Sequence, residues 1–261
     1  MNKILIICGP TATGKTKLAL QLAKEFNGEL VSADSQQVYL GRDKETGKDK
    51  EILGNSKIWL LDVVKPKEKF SVSQWRKLAI EAIKDILAQG KLPIVVGGSG
   101  LYIKALVQNL PDVDVPQDIN LRKSTKSVSE LFDYLKSLDI NKAESLNNSD
   151  KNNPRRLIRA IEIAQCPSPG RRHEQSERLG EGLRVRYLQI GLTAPKEELM
   201  SKIKERVKKR GLDLSFDQKE INIMKKQLVW FKKQPHIHWF DITSPSWQRE
   251  AENLVIGWYN Q

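Results

Sequence analysis

The sequence predicts an α/β fold: a parallel, doubly wound sheet with flanking helices and a small, mostly helical insertion. Three observations carry this expectation. Short aliphatic runs alternate with amphipathic helical segments. The runs at 4–8 and 92–96 end in glycine, at Gly9 and at Gly97-Gly98-Ser99-Gly100, where parallel strands turn into helices. Between the first run and the first helix, Gly9-Pro10-Thr11-Ala12-Thr13-Gly14-Lys15-Thr16 fits G-x-x-x-x-G-K-[ST].

The elements follow in order. Residues 4–8 read as a buried strand, and 15–26 as a helix through Leu18, Leu22 and Phe26, stopped by Asn27-Gly28. Residues 29–33 form a second strand that enters Asp34-Ser35. Residues 58–64 are a third strand candidate closed by Pro66. Ser73 to Gln89 reads as a helix with Ala79, Ile83 and Leu87 on one face and Gly90 as its stop. The β-branched run at 92–96 and a helix from Leu101 complete the first part of the core, residues 1–110. Two prolines and several aspartates between Asn109 and Pro116 break the pattern. Residues 111–152 are polar, with helical patches around Val128–Leu138, and read as an insertion. A helix over Asn153–Ala164, capped by Asn153 with Pro154 at its first position, opens the last part, 153–261. Residues 165–182 are Pro/Gly/Arg-rich and are expected to form a mobile loop. Residues 186–192 return the chain to the sheet, and the remainder is expected to be mostly helical, ending in Trp247–Tyr259.

Bulk composition narrows the class. A chain of 261 residues with 39% hydrophobic and 29% charged residues can bury a substantial core, which excludes a disordered chain. No apolar run approaches the ~20 residues of a membrane span. The run at 4–8 is too short for a signal peptide and leads into glycines rather than a cleavage site. Cys8 and Cys166 lie far apart without metal spacing, which points to a reducing, cytoplasmic setting and no disulfide. The net charge of +12 suits a polyanionic partner. Its basic residues cluster at Arg155, Arg156 and Arg159, at Arg171-Arg172, and over Lys202 to Arg210. The last run, taken by itself, also reads as a solvated helix face.

The glycine motif sits where a P-loop must, after an apolar strand and at a helix start, and so predicts a P-loop NTPase-like sheet. Glycines let the backbone wrap phosphates, and the helix start supplies N–H donors and a positive dipole end. Lys15 can neutralise phosphate oxygens, and Thr16 can ligate Mg²⁺. The chain is expected to bind a diphosphate or triphosphate. A P-loop alone fits an ATP-binding small-molecule kinase or NTPase equally well. Asp34, at the end of the second strand, could serve a metal or act as a general base, and Gln36 and Gln37 offer paired donors and acceptors that can read base edges.

Gly9–Thr16 together with Asp34-Ser35-Gln36-Gln37-Val38-Tyr39 resembles the tRNA dimethylallyltransferase (isopentenyltransferase) family. The likeness continues through Phe70-Ser71-Val72, Leu92–Tyr102, Asn153–Ala160 and Lys226-Gln227-Leu228-Val229-Trp230-Phe231. The resemblance implies transfer of a dimethylallyl group from dimethylallyl diphosphate to N6 of the adenosine 3′ of the anticodon in tRNA, with Mg²⁺ as cofactor. Gly9, Pro10, Thr11, Ala12, Thr13, Gly14, Lys15 and Thr16 would then hold the diphosphate, assisted by Lys202 and Arg206. Asp34 would take the amine proton, and Thr13 would touch the diphosphate or position the amine. Asp34, Ser35, Gln36, Gln37 and Ser99 would lie against the flipped base. Arg122, Arg155, Arg156, Leu157, Ile158 and Arg159 would approach the anticodon stem-loop. The protein would act as a monomer without a membrane.

This chain departs from the family pattern in several places. Lys202-Ile203-Lys204-Glu205-Arg206 stands where the family has Arg-Ile-x-x-Arg, and a lysine lacks the bidentate fork of an arginine. Only 213–225 occupies an interval in which the family carries several dozen residues. Ile58-Trp59 replaces a usual His-His, and Leu40-Gly41 lacks a usual arginine. The chain therefore resembles a shortened member. An adenylate (AMP or ADP) isopentenyltransferase would share the loop and the acid but need little of the basic C-terminal half. A non-catalytic tRNA-binding protein would leave Lys15, Thr16 and Asp34 unexplained.

Overall fold

A computed structural model describes residues 1–48, 56–108, 110–166, 178–179 and 183–261. The loop expected over 165–182 lies largely outside them. The chain divides into two compact units: Met1–Gln108 with Ser176–Gln261, and Asn109–Gln175.

In the first unit, strands β1 (Asn2–Cys8), β2 (Gly28–Ser32), β3 (Ile58–Trp59), β4 (Leu92–Gly97), β6 (Leu183–Thr193) and β7 (His238–Asp241) form a parallel sheet in the order β3-β2-β4-β1-β6-β7. The two-residue strand β5 (Arg178–Leu179) pairs antiparallel with the start of β6. Period-two alternation sends Ile4, Ile6 and Cys8 of β1 to one face and Leu5 and Ile7 to the other, all essentially buried. Helices α1 (Lys15–Glu25) and α12 (Trp247–Tyr259) cover the second face through Leu18, Leu22, Val255 and Trp258. On the first face, after the short α2 (Asp43–Thr46), lie α3 (Val72–Ala88) and α4 (Gly100–Val107), which bring Trp75, Ile83, Ile86 and Ile103. Each such aliphatic side chain contributes roughly 1.5–3 kcal/mol as it leaves water. Ser71 starts α3 with a capping box closed by Gln74, which explains why the helix begins one residue before the expected Ser73.

Two expectations for the sheet need correction. The strand expected over 58–64 lasts two residues, because Leu60 and Asp62 take φ of +63° and +57° and leave the extended region. Beyond it, an isolated parallel bridge joins Tyr39 and Val64. Strand β7 is an addition to the expected sheet. It is four residues long and mostly exposed, so it lacks the apolar run that marks a buried strand.

The second unit is helical. Its elements are α5 (Ile119–Lys123), α6 (Val128–Leu138), α7 (Ile140–Ser145), α8 (Asn148–Lys151) and α9 (Pro154–Gln165). Side chains of Asp118, Ser127, Asp139, Asn147 and Asn153 cap the five helices in turn. The core joins Leu121, Leu131, Leu135, Leu157 and Ile161. Helix α9 thus packs with the insertion, whose end lies beyond the expected boundary at 152 because its apolar stripe faces α6.

Glu162 organises this unit. It is 3% exposed and accepts from Arg122 at 2.6 and 2.9 Å, from Arg159 at 2.8 Å and from the Asp118 backbone N–H at 3.0 Å. Burial pushes its carboxyl up, but the hydrogen bonds from Arg122, Arg159 and Asp118 outweigh it and hold it below the usual range. A depressed carboxylate stabilises the fold above its unfolded pKa and loses that effect as pH falls through the folded value. Glu162→Gln should therefore cost about 1–3 kcal/mol at neutral pH. In urea melts the gap to wild type should close as pH falls through the carboxylate range. A gap that persists in acid would remove the charge from this account. Among the described residues no helix is long and apolar enough to cross a membrane.

Candidate active site

The carboxyl ends of β1, β2 and β4 point the same way, and a cleft of about 370 Å³ opens beyond them. The loop after β1 is shaped by its glycines. Gly9 has φ +132°, and a Cβ there would lie 2.3 Å from the Leu192 carbonyl oxygen. Ala12 takes a left-handed φ of +67°, an unfavourable conformation for a residue with a side chain. The loop then enters α1 at Lys15.

Lys15 Nζ curls back to donate to the Pro10 carbonyl at 2.6 Å. Its pKa is pushed down to about 8, chiefly by burial and next by the neighbouring Arg206 charge, with Asp34 and Cys8 acting in the opposite sense. Thr11, Ala12, Gly14, Lys15 and Thr16 line the cleft. Thr13 is buried at the base of the loop, and its hydroxyl donates to the Pro10 carbonyl at 3.0 Å, which shapes the loop. Gly9 and Pro10 likewise act through the backbone. Cys8, just before the loop, is buried, and that burial pushes its thiol up to about 11, which disfavours the thiolate.

Asp34 lies two residues past β2 and lines the same cleft. Its Oδ1 accepts from the backbone N–H groups of Gln36 (2.8 Å) and Gln37 (3.4 Å), which fixes the carboxylate in an Asx-type turn. Oδ2 has no hydrogen-bond partner among the described residues. The expected base-reading residues are largely tied to the protein itself. Ser99 Oγ accepts from the Ser35 N–H at 2.8 Å and donates to Ser35 Oγ at 3.2 Å, clamping the ends of β2 and β4 together. Gln37 donates to the carbonyls of Thr46 and Gly47 at 3.3 and 3.2 Å. Gln36 is exposed and accepts from Arg42 at 3.3 Å.

Helix α10 (Lys196–Lys209) buries Leu199, Ile203 and Val207 at a spacing of four, which leaves Lys202, Arg206 and Lys209 to line the cleft. The basic run is therefore more than a solvated face. Lys202 pairs with Glu198 at 3.2 Å, and Arg206 Nη2 donates to Thr11 Oγ1 at 2.6 Å. The cleft holds six cations (Lys15, Lys17, Lys48, Lys202, Arg206, Lys209) against two acids, Asp34 and Glu205. Such a surplus in a concave site favours a small polyanion.

Two cleft-lining residues escape a reading of the sequence. Gln227 on α11 (Leu214–Phe231) accepts from the Thr11 N–H at 2.8 Å and donates to the Gly98 carbonyl at 3.1 Å, bridging the two glycine loops. Three residues on, the Trp230 ring lies where a Cβ on Gly100 would sit, at 2.1 Å. The distant segments Gly97–Tyr102 and Lys226–Phe231 are thus one packed unit, a pairing visible only in three dimensions. Lys48 is the other. It is 4% exposed and donates to Asp62 and to the Tyr39 carbonyl, which folds residues 39–48 along the cleft.

The remaining candidates lie in the helical unit. Arg122 and Arg159 are committed to Glu162, and Arg159 also donates to the carbonyls of Val115 (3.0 Å) and Asp112. Leu157 and Ile158 are buried in that unit's core, which corrects their expected place at an RNA surface. Arg155 and Arg156 are exposed, and Arg156 pairs with Asp150.

The IPP transferase family model matches residues 37–211. The tRNA dimethylallyltransferase of Anoxybacillus flavithermus is 34% identical, over 98% of this chain and 95% of its own length. That of Acetivibrio thermocellus is 41% identical, over 79% of this chain and 67% of its own. The alignment with the former spans 303 positions against a chain of 261, so it includes insertions in the relative. The full-length tRNA isopentenylpyrophosphate transferase of Bacillus halodurans superposes with a TM-score of 0.68 at 28% identity, over 98% of this chain and 96% of that one. The matched span, the relatives aligned over nearly the whole chain and a basic cleft built on the strand ends agree: this chain belongs to the IPP transferase family.

Proposed function

We propose that this protein transfers a dimethylallyl group from dimethylallyl diphosphate to N6 of the adenosine 3′ of the anticodon in tRNA, giving N6-isopentenyladenosine and diphosphate. The observation that carries the proposal is one cleft that presents a phosphate loop with Lys15, Arg206 hydrogen-bonded to that loop from α10, and a fixed carboxylate, Asp34. The donor diphosphate lies on the loop. As the allylic C–O bond breaks, negative charge grows on the leaving diphosphate, and Lys15, Arg206 and the backbone donors stabilise it. The exocyclic amine forms the new C–N bond, and its proton passes to Asp34. The base must leave its stack to reach this site.

The residues fit Mg²⁺. Thr16 lines the cleft beside the loop, and its hydroxyl would hold the ion there, with Asp34 across the same cleft kept as the base. A hydroxyl and a carboxylate are oxygen donors of the kind that Mg²⁺ takes, with substrate phosphates and water completing such sites. When bound, the ion screens the charge developing on the diphosphate.

The exposed Arg155 and Arg156 meet the tRNA phosphate backbone in the anticodon stem-loop. Replacing both by Ala should weaken tRNA binding and flatten its salt dependence, by roughly one unit of log–log slope for each phosphate no longer neutralised. A slope equal to wild type in filter-binding titrations would remove them from the interface. The activity itself is tested with radiolabelled dimethylallyl diphosphate, Mg²⁺ and either unmodified tRNA or AMP. Label in tRNA that disappears when the target adenosine is changed supports the proposal. Label in AMP alone moves the assignment to an adenylate isopentenyltransferase.

A further inference from the structure

Glu220, on α11, is 7% exposed and holds two arginines of α10 and its C-cap at once. Its Oε2 accepts from Arg206, and its Oε1 accepts from Arg210 Nη2 at 2.8 Å. The same Nη2 of Arg206 donates to Thr11 Oγ1 at 2.6 Å, inside the phosphate loop. Arg210 Nη1 donates to the Lys44 carbonyl at 2.7 Å, and Lys44 belongs to the segment 39–48 that Lys48 folds along the cleft. A chain of polar contacts therefore runs from the phosphate loop through Arg206, Glu220 and Arg210 to residue 44. Gln227, two turns along α11, touches Thr11 directly.

We propose that Glu220 is a positioning residue for the diphosphate site, holding Arg206 against the phosphate loop and locking the segment around residue 44 beside it. The proposal rests on the diphosphate reading of the cleft. An acid next to a cation-lined anion site otherwise works against that site, because its charge repels the ligand. Its presence is explained by geometry. A bare Arg206 is a long, rotamer-rich side chain, and an anchored one loses less freedom when it meets an anion. Glu220 also lets Arg206 and Arg210 lie side by side, where two unpaired like charges one turn apart would repel.

Charge and position predict opposite signs, which makes the test decisive. The probe is inorganic pyrophosphate, titrated calorimetrically into wild type, Glu220→Gln and Glu220→Asp. If Glu220 acts only as a charge, the Gln variant binds more tightly and the Asp variant is unchanged. If it positions Arg206, the Gln variant binds roughly 10-fold more weakly, the scale of one charge-assisted hydrogen bond. The Asp variant, one methylene too short to reach both arginines, should also weaken. In turnover assays the KM for the donor should rise while the KM for tRNA stays put. Tighter or unchanged binding in the Gln variant, wild-type affinity in the Asp variant, or no pyrophosphate binding by wild type would each overturn the assignment. The Asp variant keeps the charge and decides the matter should the Gln variant fold poorly. Should wild type bind pyrophosphate yet prenylate nothing, the proposed activity fails while the pyrophosphate series still decides the role of Glu220.

Discussion

Replacing Asp34 by Asn should lower turnover by roughly 10²–10⁴-fold, the range lost with a general base, while donor binding stays close to wild type. The Asn variant is the sharper probe because its side-chain oxygen can still accept from the N–H groups of Gln36 and Gln37, so the turn after β2 survives. What it lacks is a basic oxygen. Asp34 Oδ1 is used by that turn, and Oδ2 has no partner among the described residues, so the lost chemistry falls on Oδ2. An adenine exocyclic amine is a weak nucleophile whose lone pair is delocalised, and a carboxylate that takes its proton as the bond forms lowers the barrier. A second consequence follows. The Asp34 charge raises the Lys15 pKa, so its removal should shift the alkaline limb of the pH–rate profile downward. Single-turnover rates with a saturating donor separate the two effects. A variant that turns over like wild type would exclude Asp34 as the base.

The parallel core is legible because its strands are buried on both faces and its turns are marked by glycine. β1, β2 and β4 and the helices at 15–25 and 72–88 all begin within two residues of their expected starts. Strand β7 is not legible, since a four-residue exposed edge strand carries little hydrophobic pattern. The strand expected over 58–64 fails for a different reason: two left-handed residues at Leu60 and Asp62 end it, and neither is a glycine that would announce the turn. In the site, the glycine loop and Asp34 can be read because their chemistry follows from local spacing. Gln227, Lys48 and Glu220 cannot, because each acts on a residue far along the chain or through an arginine. A motif does not encode burial either, and Thr13, Leu157 and Ile158 are all buried in the structure.

Lys15 carries the other large effect, and its signature is pH. Replacement by Met should cut turnover by roughly 10²–10³-fold, the loss expected for one preorganised group facing developing charge. The wild-type enzyme should show the same dependence without mutation. With its pKa pushed down from about 10.5 to about 8 by burial and by Arg206, Lys15 loses its proton near working pH. Affinity for pyrophosphate should therefore fall as pH rises through about 8, where an ordinary lysine would remain charged. Bound diphosphate returns a strong anionic partner to Lys15, so binding above that pH should take up a proton, measurable by calorimetry in buffers of different ionisation enthalpy. Stability carries the opposite sign. Between the folded pKa near 8 and the unfolded value near 10.5 the unfolded chain holds more protons at this site, so the free protein should gain stability from Lys15 as pH rises across that window. Pyrophosphate should erase that gain by raising the folded pKa. Pyrophosphate affinity that stays flat across pH 8, with no proton uptake, would place the lysine charge outside the donor site.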